Sequence, residues 1–89
     1  MGDAERRQML GYQAELKEEI ESISSLMQTQ TKEIRAQCLC LDGLEALPAA
    51  SIVINAQALE SLHARLMDKL KKLRAVNEAL GRHKDEPFI

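Results

Sequence analysis

Apolar residues recur at every seventh position in the second half of the chain. The row consists of four leucines: Leu59, Leu66, Leu73 and Leu80. Such a row, kept over about three heptads, is typical of a helix in a coiled coil. Ile52 continues the row by one heptad toward the N-terminus. The pattern predicts a helix over residues 51–81, with Ser51 as its N-cap or Asn55 as the alternative cap. A short strand over residues 51–54 is the other interpretation of that β-branched run.

The leucine row is compatible with two heptad registers. If the leucines occupy a positions, the d positions are Leu62, Lys69 and Val76. If they occupy d positions, the a positions are Ala56, His63, Leu70 and Asn77. The second register resembles a leucine zipper, but a DNA-binding zipper also needs a basic region before it. Residues 49–58 contain no Lys or Arg, so a zipper transcription factor is excluded. Apolar residues on both flanks of the row predict that this helix touches more than one neighbour.

A second heptad pattern predicts a helix over residues 4–41, with residues 1–3 as a lead-in and Asp3 as N-cap. Its a positions are Gln13, Ile20, Met27, Ile34 and Leu41, and its d positions are Met9, Leu16, Ile23, Gln30 and Gln37. The segment over residues 21–31 is rich in Ser and Thr, which are mediocre helix formers. We therefore expect that part of the helix to need tertiary support.

The connection is predicted over residues 42–50. Gly43 can adopt the left-handed conformation that ends a helix, and Leu44 lies where a Schellman motif places its apolar contact. Pro48 argues against a helix that crosses residue 47. Residues 82–89 carry mixed charge and a proline, and we expect a frayed tail there.

Three glutamines, Gln13, Gln30 and Gln37, fall inside the heptad seam formed by the a and d positions of the first helix. They are open to two interpretations. One is register control, or a polar layer that meets a specific partner. The other, which we favour from the sequence, is a partly solvated seam where glutamine is tolerated.

The predicted fold class is all-α: two long helices in an antiparallel coiled-coil hairpin, completing a helical bundle by association with other chains. Two helices bury too little apolar surface to offset the entropy of ordering them. The residues expected at helix–helix interfaces are Met9, Leu16, Ile20, Ile23, Met27, Ile34, Leu41, Ile52, Leu59, Leu62, Leu66, Leu70, Leu73, Val76 and Leu80. Apolar residues off the seam would be exposed in an isolated hairpin: Leu10, Leu26, Leu39, Met67 and Leu70. With 38 residues against 31, the first helix is expected to overhang at its N-terminal end, presenting Met9, Leu10 and Tyr12 to a partner.

Charge is divided between the two predicted helices. Residues 3–41 contain seven acidic and five basic residues, whereas residues 55–84 contain seven basic and three acidic residues. The segments can pair with each other or with a partner of opposite sign. The basic cluster Lys71, Lys72 and Arg74 is a possible face for an acidic partner, or an ordinary solvated face. With a net charge of −2 and no aromatic residues between these bases, no nucleic-acid partner is expected.

The sequence contains no pattern typical of catalysis. Cys38 and Cys40 point about 200° apart on a helix, so we expect apolar fillers rather than a disulfide or a metal site. His63 and His83 do not share a helical face, and His63 is expected at an interface boundary. We therefore expect no enzyme activity, no catalytic residue, no cofactor and no metal.

No signal peptide and no membrane span are expected, because no run of about 18 apolar residues exists. We expect a soluble, intracellular, cytoplasmic chain, with the nucleus as an alternative compartment.

The periodicity, but no motif, is similar to that of small coiled-coil subunits of cytoskeletal, kinetochore or vesicle-tethering complexes. The expected function is scaffolding through helix packing with different partner chains. The alternative is a self-associating adaptor, a homodimeric or tetrameric four-helix bundle whose basic face on the second helix binds an acidic partner.

Overall fold

The computed structural model describes residues 2–39 and 42–84, with side chains up to residue 81. Helix α1 spans Asp3–Cys38 and helix α2 spans Ala49–Lys84, and each contains 36 residues. Between them lies one 3-10 turn, Leu44–Ala46. No strand occurs in these described residues, so the prediction of an all-α chain with two long helices is confirmed.

The two helices lie antiparallel against each other. Gln13, near the start of α1, bonds to Asn77 near the end of α2, and Gln37 bonds to Asn55 at the opposite end. The hairpin measures 63 × 22 × 14 Å. Its radius of gyration is 19.5 Å, whereas a compact domain of this length has about 12 Å. The molecule is therefore a flat slab, two helices wide and one helix thick.

Burial along α2 identifies which heptad register the hairpin uses. The leucine row and the row containing Leu62, Lys69 and Val76 are all buried or partly buried. In the alternative register, Ala56 and His63 would lie in the seam, but both are exposed. The leucines therefore occupy the a positions, and the zipper-like register is not the one that packs against α1.

The best-buried apolar cluster lies at the open end of the hairpin, where α1 begins and α2 ends. Leu16 is 0% exposed and packs with Val76 and Leu80, and Met9 and Leu73 border this cluster. Because the helices are equally long and Met9 contacts this core, the prediction of an overhanging N-terminal end was wrong. The predicted difference in length between the helices is absent, because α2 begins earlier and ends later than its heptads indicate.

The end of α1 differs from the prediction. The helix stops at Cys38, three residues before the expected Leu41, and Leu39 is extended. Gly43 has a positive φ of 96°, as expected, but it precedes the 3-10 turn instead of ending α1. Leu44 is 81% exposed and makes no Schellman-type contact. Gly43, with its positive φ, therefore lies inside the connection and does not end α1.

The start of α2 also differs from the prediction. The helix begins at Ala49, and the Pro48 carbonyl accepts a bond from the Ile52 amide at 3.0 Å. Pro48 can precede a helix because it needs no amide donor there. Ser51 is therefore inside the helix instead of capping it, and residues 51–54 are helical. At its other end α2 includes residues 82–84, which were expected in the tail, and residues 85–89 lie outside the described part.

The Ser- and Thr-rich middle of α1 is helical without interruption. The hydroxyls of Thr29 and Thr31 bond to the carbonyls of Ser25 and Met27, one turn earlier. This back-bonding satisfies the hydroxyls within the helix. Ile23, which is 2% exposed, supplies the tertiary contact that this weak helix-forming segment was expected to need. At the start of α1, Gly2 is the N-cap residue and Asp3 is already helical.

Candidate interaction surface

The structure places the predicted interface residues along one continuous seam. Four of them are buried: Leu16, Ile23, Val76 and Leu80. Ten are partly buried: Met9, Ile20, Met27, Ile34, Ile52, Leu59, Leu62, Leu66, Leu70 and Leu73. Leu41 lies outside the described residues. The four buried residues are already covered by the pairing of α1 with α2, whereas partly buried residues at the border of the seam, such as Leu70, keep some exposed surface.

The three seam glutamines form hydrogen bonds across the hairpin. Gln13 donates to the Asn77 side chain at 2.5 Å. Gln30 donates to the Asn55 side-chain oxygen at 2.8 Å and approaches its backbone oxygen at 3.3 Å. Asn55 in turn donates to Gln37 at 2.7 Å. The interpretation favoured from the sequence, a partly solvated seam where glutamine is tolerated, is therefore incomplete. The three glutamines form two polar layers of hydrogen bonds within the chain itself.

Asn55 is central to one of these layers. Its oxygen accepts from Gln30 and its amide nitrogen donates to Gln37, so both sides of the amide are used. A one-heptad slip of α2 would move Asn55 away from both glutamines and leave their amides against apolar neighbours. The layer therefore opposes register slips, which is the best-attested role of polar residues in heptad seams.

An ion pair joins a seam lysine of α2 to a glutamate on one broad side of α1. Lys69 occupies a d position, and its Nζ lies 2.6 Å from a carboxylate oxygen of Glu19. Lys69 is 26% exposed, so its aliphatic stem lies along the seam while its ammonium reaches the surface. A lysine at a seam position is thus accommodated by an acidic residue on the opposite helix.

This pair predicts a charge-swap result. The change Glu19→Lys should lower the free energy of unfolding by about 0.2–1 kcal/mol, because Lys69 then faces a like charge. Adding Lys69→Glu should recover most of that loss. Urea titrations at low and high salt would measure both variants, and the difference should shrink in high salt. Equal stability of the single and double variants would contradict the pairing.

The predicted acidic-partner face does not lie on one side of the molecule. By helical spacing, Lys71 lies on the back of α2, Lys72 on one broad side and Arg74 on the other. Lys72 pairs with Asp68 at 3.1 Å. The hydrogen bond that Lys72 donates to Asp68 raises the pKa of Lys72 above its ordinary value, and the negative charge of Asp68 acts in the same direction. The cluster is adjacent in sequence but divided in space.

Helical spacing instead defines two broad faces of opposite charge. In an antiparallel helix pair the g positions of both helices lie on the same side, and Glu19, a g residue of α1, reaches Lys69 of α2 at 2.6 Å. We call this side, with its neighbouring c positions, the acidic face. Among described side chains it carries Glu5, Glu15, Glu19, Glu33 and Asp68 against Arg65 and Lys72.

The opposite side, formed by e and b positions, is the basic face. Among described side chains it carries the bases Arg7, Lys17, Arg35 and Arg74 against the acids Asp3, Glu21 and Glu60. A surface groove of about 300 Å³ lies on α1 at this side, lined by Met27, Gln28, Thr31, Lys32 and Arg35. In this groove the apolar side chain of Met27 lies beside the cationic Lys32 and Arg35.

Most of the off-seam apolar residues are exposed, as expected. Leu10, Leu26, Leu39 and Met67 are all more than 40% exposed. Leu70 differs: it occupies an e position beside the seam and is partly buried. Leu10 and Met67 lie on the basic face by helical spacing, and Leu26 lies on the acidic face. An exposed tyrosine, Tyr12 on the acidic face, adds to the second group.

Sequence reasoning missed a further exposed set at the turn end of the hairpin. Leu44, Val53 and Ile54 are 81%, 55% and 64% exposed. One signal in the sequence could have identified them. Between Arg35 and Glu60 the chain has only two charged residues, Asp42 and Glu45, although charged residues make up 29% of the whole.

Titratable side chains do not converge on a reactive site. Cys38 is exposed, so it is not the apolar filler that was expected, and Cys40 lies outside the described residues. His63 is exposed on the basic side. Among the described side chains, in residues 2–39 and 42–81, no three His, Cys, Asp or Glu groups come close enough to hold a metal ion. The described helices also lack any segment with the length and apolar character needed to cross a bilayer.

Comparisons of the chain with protein-family models, with curated proteins and with solved structures found no match.

Proposed function

We propose that this chain is a non-enzymatic coiled-coil subunit that scaffolds a larger intracellular complex by packing against helices of different partner chains. The observation that carries the proposal is how little the hairpin buries. Its accessible surface is 6874 Å², whereas a compact protein of 10 kDa exposes about 5200 Å². A slab one helix thick has two uncovered sides, and such surfaces are covered in stable helical assemblies.

The basic face is the better docking side for a partner helix. Leu10 and Met67 are exposed there, Leu70 is partly exposed, and four bases face three acids, of which Asp3 lies at the very start of α1. A helix with an apolar stripe flanked by Asp and Glu would bury those apolar groups. Its acids would also meet Arg74 and Lys17 at the rim. Assemblies of the cytoskeletal, kinetochore or vesicle-tethering kind use subunits of this general form.

A paired-variant experiment tests this proposal. The change Met67→Glu with Arg74→Glu places acids on the basic face, and Leu26→Glu places one on the acidic face as the matched control. Tagged chains would be purified from their native cells under mild crosslinking, and the crosslinked partner peptides sequenced. We expect the double variant to lose a helical, acid-flanked partner by about tenfold or more, with the control unchanged.

The opposite result is equally definite. A purified chain that is a stable, folded monomer on dilution, with partner recovery unaffected by either variant, would contradict the proposal. Circular dichroism on both variants would show that the hairpin is still helical, so that lost binding is not lost folding.

The opposite charges of the two faces favour a second candidate, self-association. Acids on one side of the slab could meet bases on the opposite side of another copy, giving a homo-oligomer. Light scattering on the purified chain across a dilution series distinguishes the two. A cooperative, helical dimer or tetramer supports self-association, whereas a marginally stable helical chain that does not self-associate and gains stability with a partner supports the first candidate.

A further inference from the structure

The turn end of the hairpin carries a group of exposed apolar residues where the two broad faces end. We define the tip by four apolar residues, Leu39, Leu44, Val53 and Ile54, together with the acids Asp42 and Glu45. Leu39 and Leu44 are 71% and 81% exposed, the two highest values among the exposed large apolar residues. Val53 and Ile54 lie within about 8 Å of the start of α2, at 1.5 Å per residue. Half of the large apolar residues exposed in the described part of the chain are therefore at this one end.

Packing within the hairpin does not explain why residues 53 and 54 are apolar. Val53 and Ile54 occupy b and c positions, on the back of α2 and away from α1. Isoleucine and valine are weaker helix formers than polar residues such as Lys, Glu or Gln, because their branched side chains lose χ1 freedom. An exposed helix back would be more stable with those polar residues. Exposed apolar groups that cost stability are typical of a binding surface.

The charges at the tip restrict what can cover it. Asp42 and Glu45 are its charged residues, and both are exposed and acidic. Tip-to-tip pairing of two copies by a twofold axis would bring these acids beside their own equivalents. An anionic membrane surface would repel them as well. A protein pocket that is apolar inside and carries Lys or Arg at its rim fits both features.

We propose that the tip docks into an apolar pocket with a basic rim on a partner protein. This inference goes beyond the proposed function, because it needs neither the basic face nor a partner helix. Leu44 and Ile54 enter the pocket, and Asp42 and Glu45 meet its cationic rim. The helices then act as a stalk that carries the tip about 50 Å from the open end, at 1.5 Å per residue.

Site-specific photo-crosslinking in the full-length chain, in its native cells, tests the proposal. A photo-reactive residue is placed at Ile54, or at Leu26 in the middle of α1 as the matched control. We expect Ile54 to give a product absent from the Leu26 sample, joined to a different protein at apolar residues close to Lys or Arg. Asp42→Lys with Glu45→Lys should reduce that product about tenfold or more.

Other outcomes would overturn the proposal. These are a product with a second copy of this chain, a product with lipid, equal labelling from Ile54 and Leu26, or a partner site without basic residues. Flotation of the purified chain with phosphatidylcholine or phosphatidylserine vesicles gives an independent answer, since binding to either would favour a membrane surface. The basic-face variant Met67→Glu with Arg74→Glu should leave the Ile54 product intact, which separates this inference from the proposed function.

Discussion

The change Leu16→Ala should cost the hairpin about 2–5 kcal/mol of unfolding free energy. Leu16 is the one side chain with 0% exposure in the described part of the chain, and it packs against Val76 and Leu80. Truncation removes its apolar contacts and leaves a cavity that two facing helices can close only by shifting together. For a hairpin with so small a core, this loss is comparable to its whole stability.

Urea titration followed by helical circular dichroism would measure this effect. Leu26→Ala is the matched control, since it removes the same atoms from a leucine on the same helix that is 51% exposed. That variant should change stability by less than about 0.5 kcal/mol. Similar losses at both positions would mean that the seam does not pack as described, or that a partner buries Leu26 as well.

Replacing the polar layer around Asn55 with leucine should raise stability and reduce specificity. The triple variant Gln30→Leu, Gln37→Leu and Asn55→Leu turns three partly buried amides into apolar groups. At roughly 1 kcal/mol for each partly buried leucine, the hairpin should gain about 2–4 kcal/mol. The cost is that slipped registers and additional helices can then pack on a uniform apolar seam.

Two measurements on this variant must agree. Thermal melting should occur at a higher temperature than in the unmodified chain, and light scattering should show several oligomeric species instead of one. The single change Asn55→Ala is the control, because it leaves Gln30 and Gln37 without their shared partner and should destabilise the hairpin. A triple variant with a single oligomeric state identical to the unmodified chain would contradict the role given to this layer.

The heptad periodicity was sufficient to predict the two helices and the residues along their seam. Rows such as Leu59 to Leu80 have one physical explanation, a helix with one apolar side, and that side depends on local sequence alone. The choice between two registers was not available from the sequence. Leu70 and Asn77 are reasonable seam residues in isolation, and only the position of α1 determines that the leucines take the a positions.

The helix ends and the polar layers could not be predicted from the sequence either, because they also depend on contacts between the two helices. Ser51 and Asn55 are both good N-cap residues, but Asn55 is used across the hairpin by Gln30 and Gln37. Its partners are 25 and 18 residues away along the chain, so no local rule contains them. The division of Lys72 and Arg74 between two faces could have been inferred from helical spacing once the register was known.

The best-packed end of the hairpin is also the end farthest from its turn, and this shapes how the chain reaches its folded state. Gln13 and Asn77, beside the Leu16 cluster, are 64 residues apart in sequence, whereas Asn55 and Gln37, near the turn, are 18 apart. Contacts near the turn are the polar layer around Asn55 and apolar side chains that are only partly buried, such as Ile34 and Ile52. Closing this long loop costs conformational entropy, and the main apolar contacts can offset that cost only after the loop has closed. Zipping from the turn therefore gains little stability at first, and we expect the folding barrier to be crossed late, when the two distant ends meet.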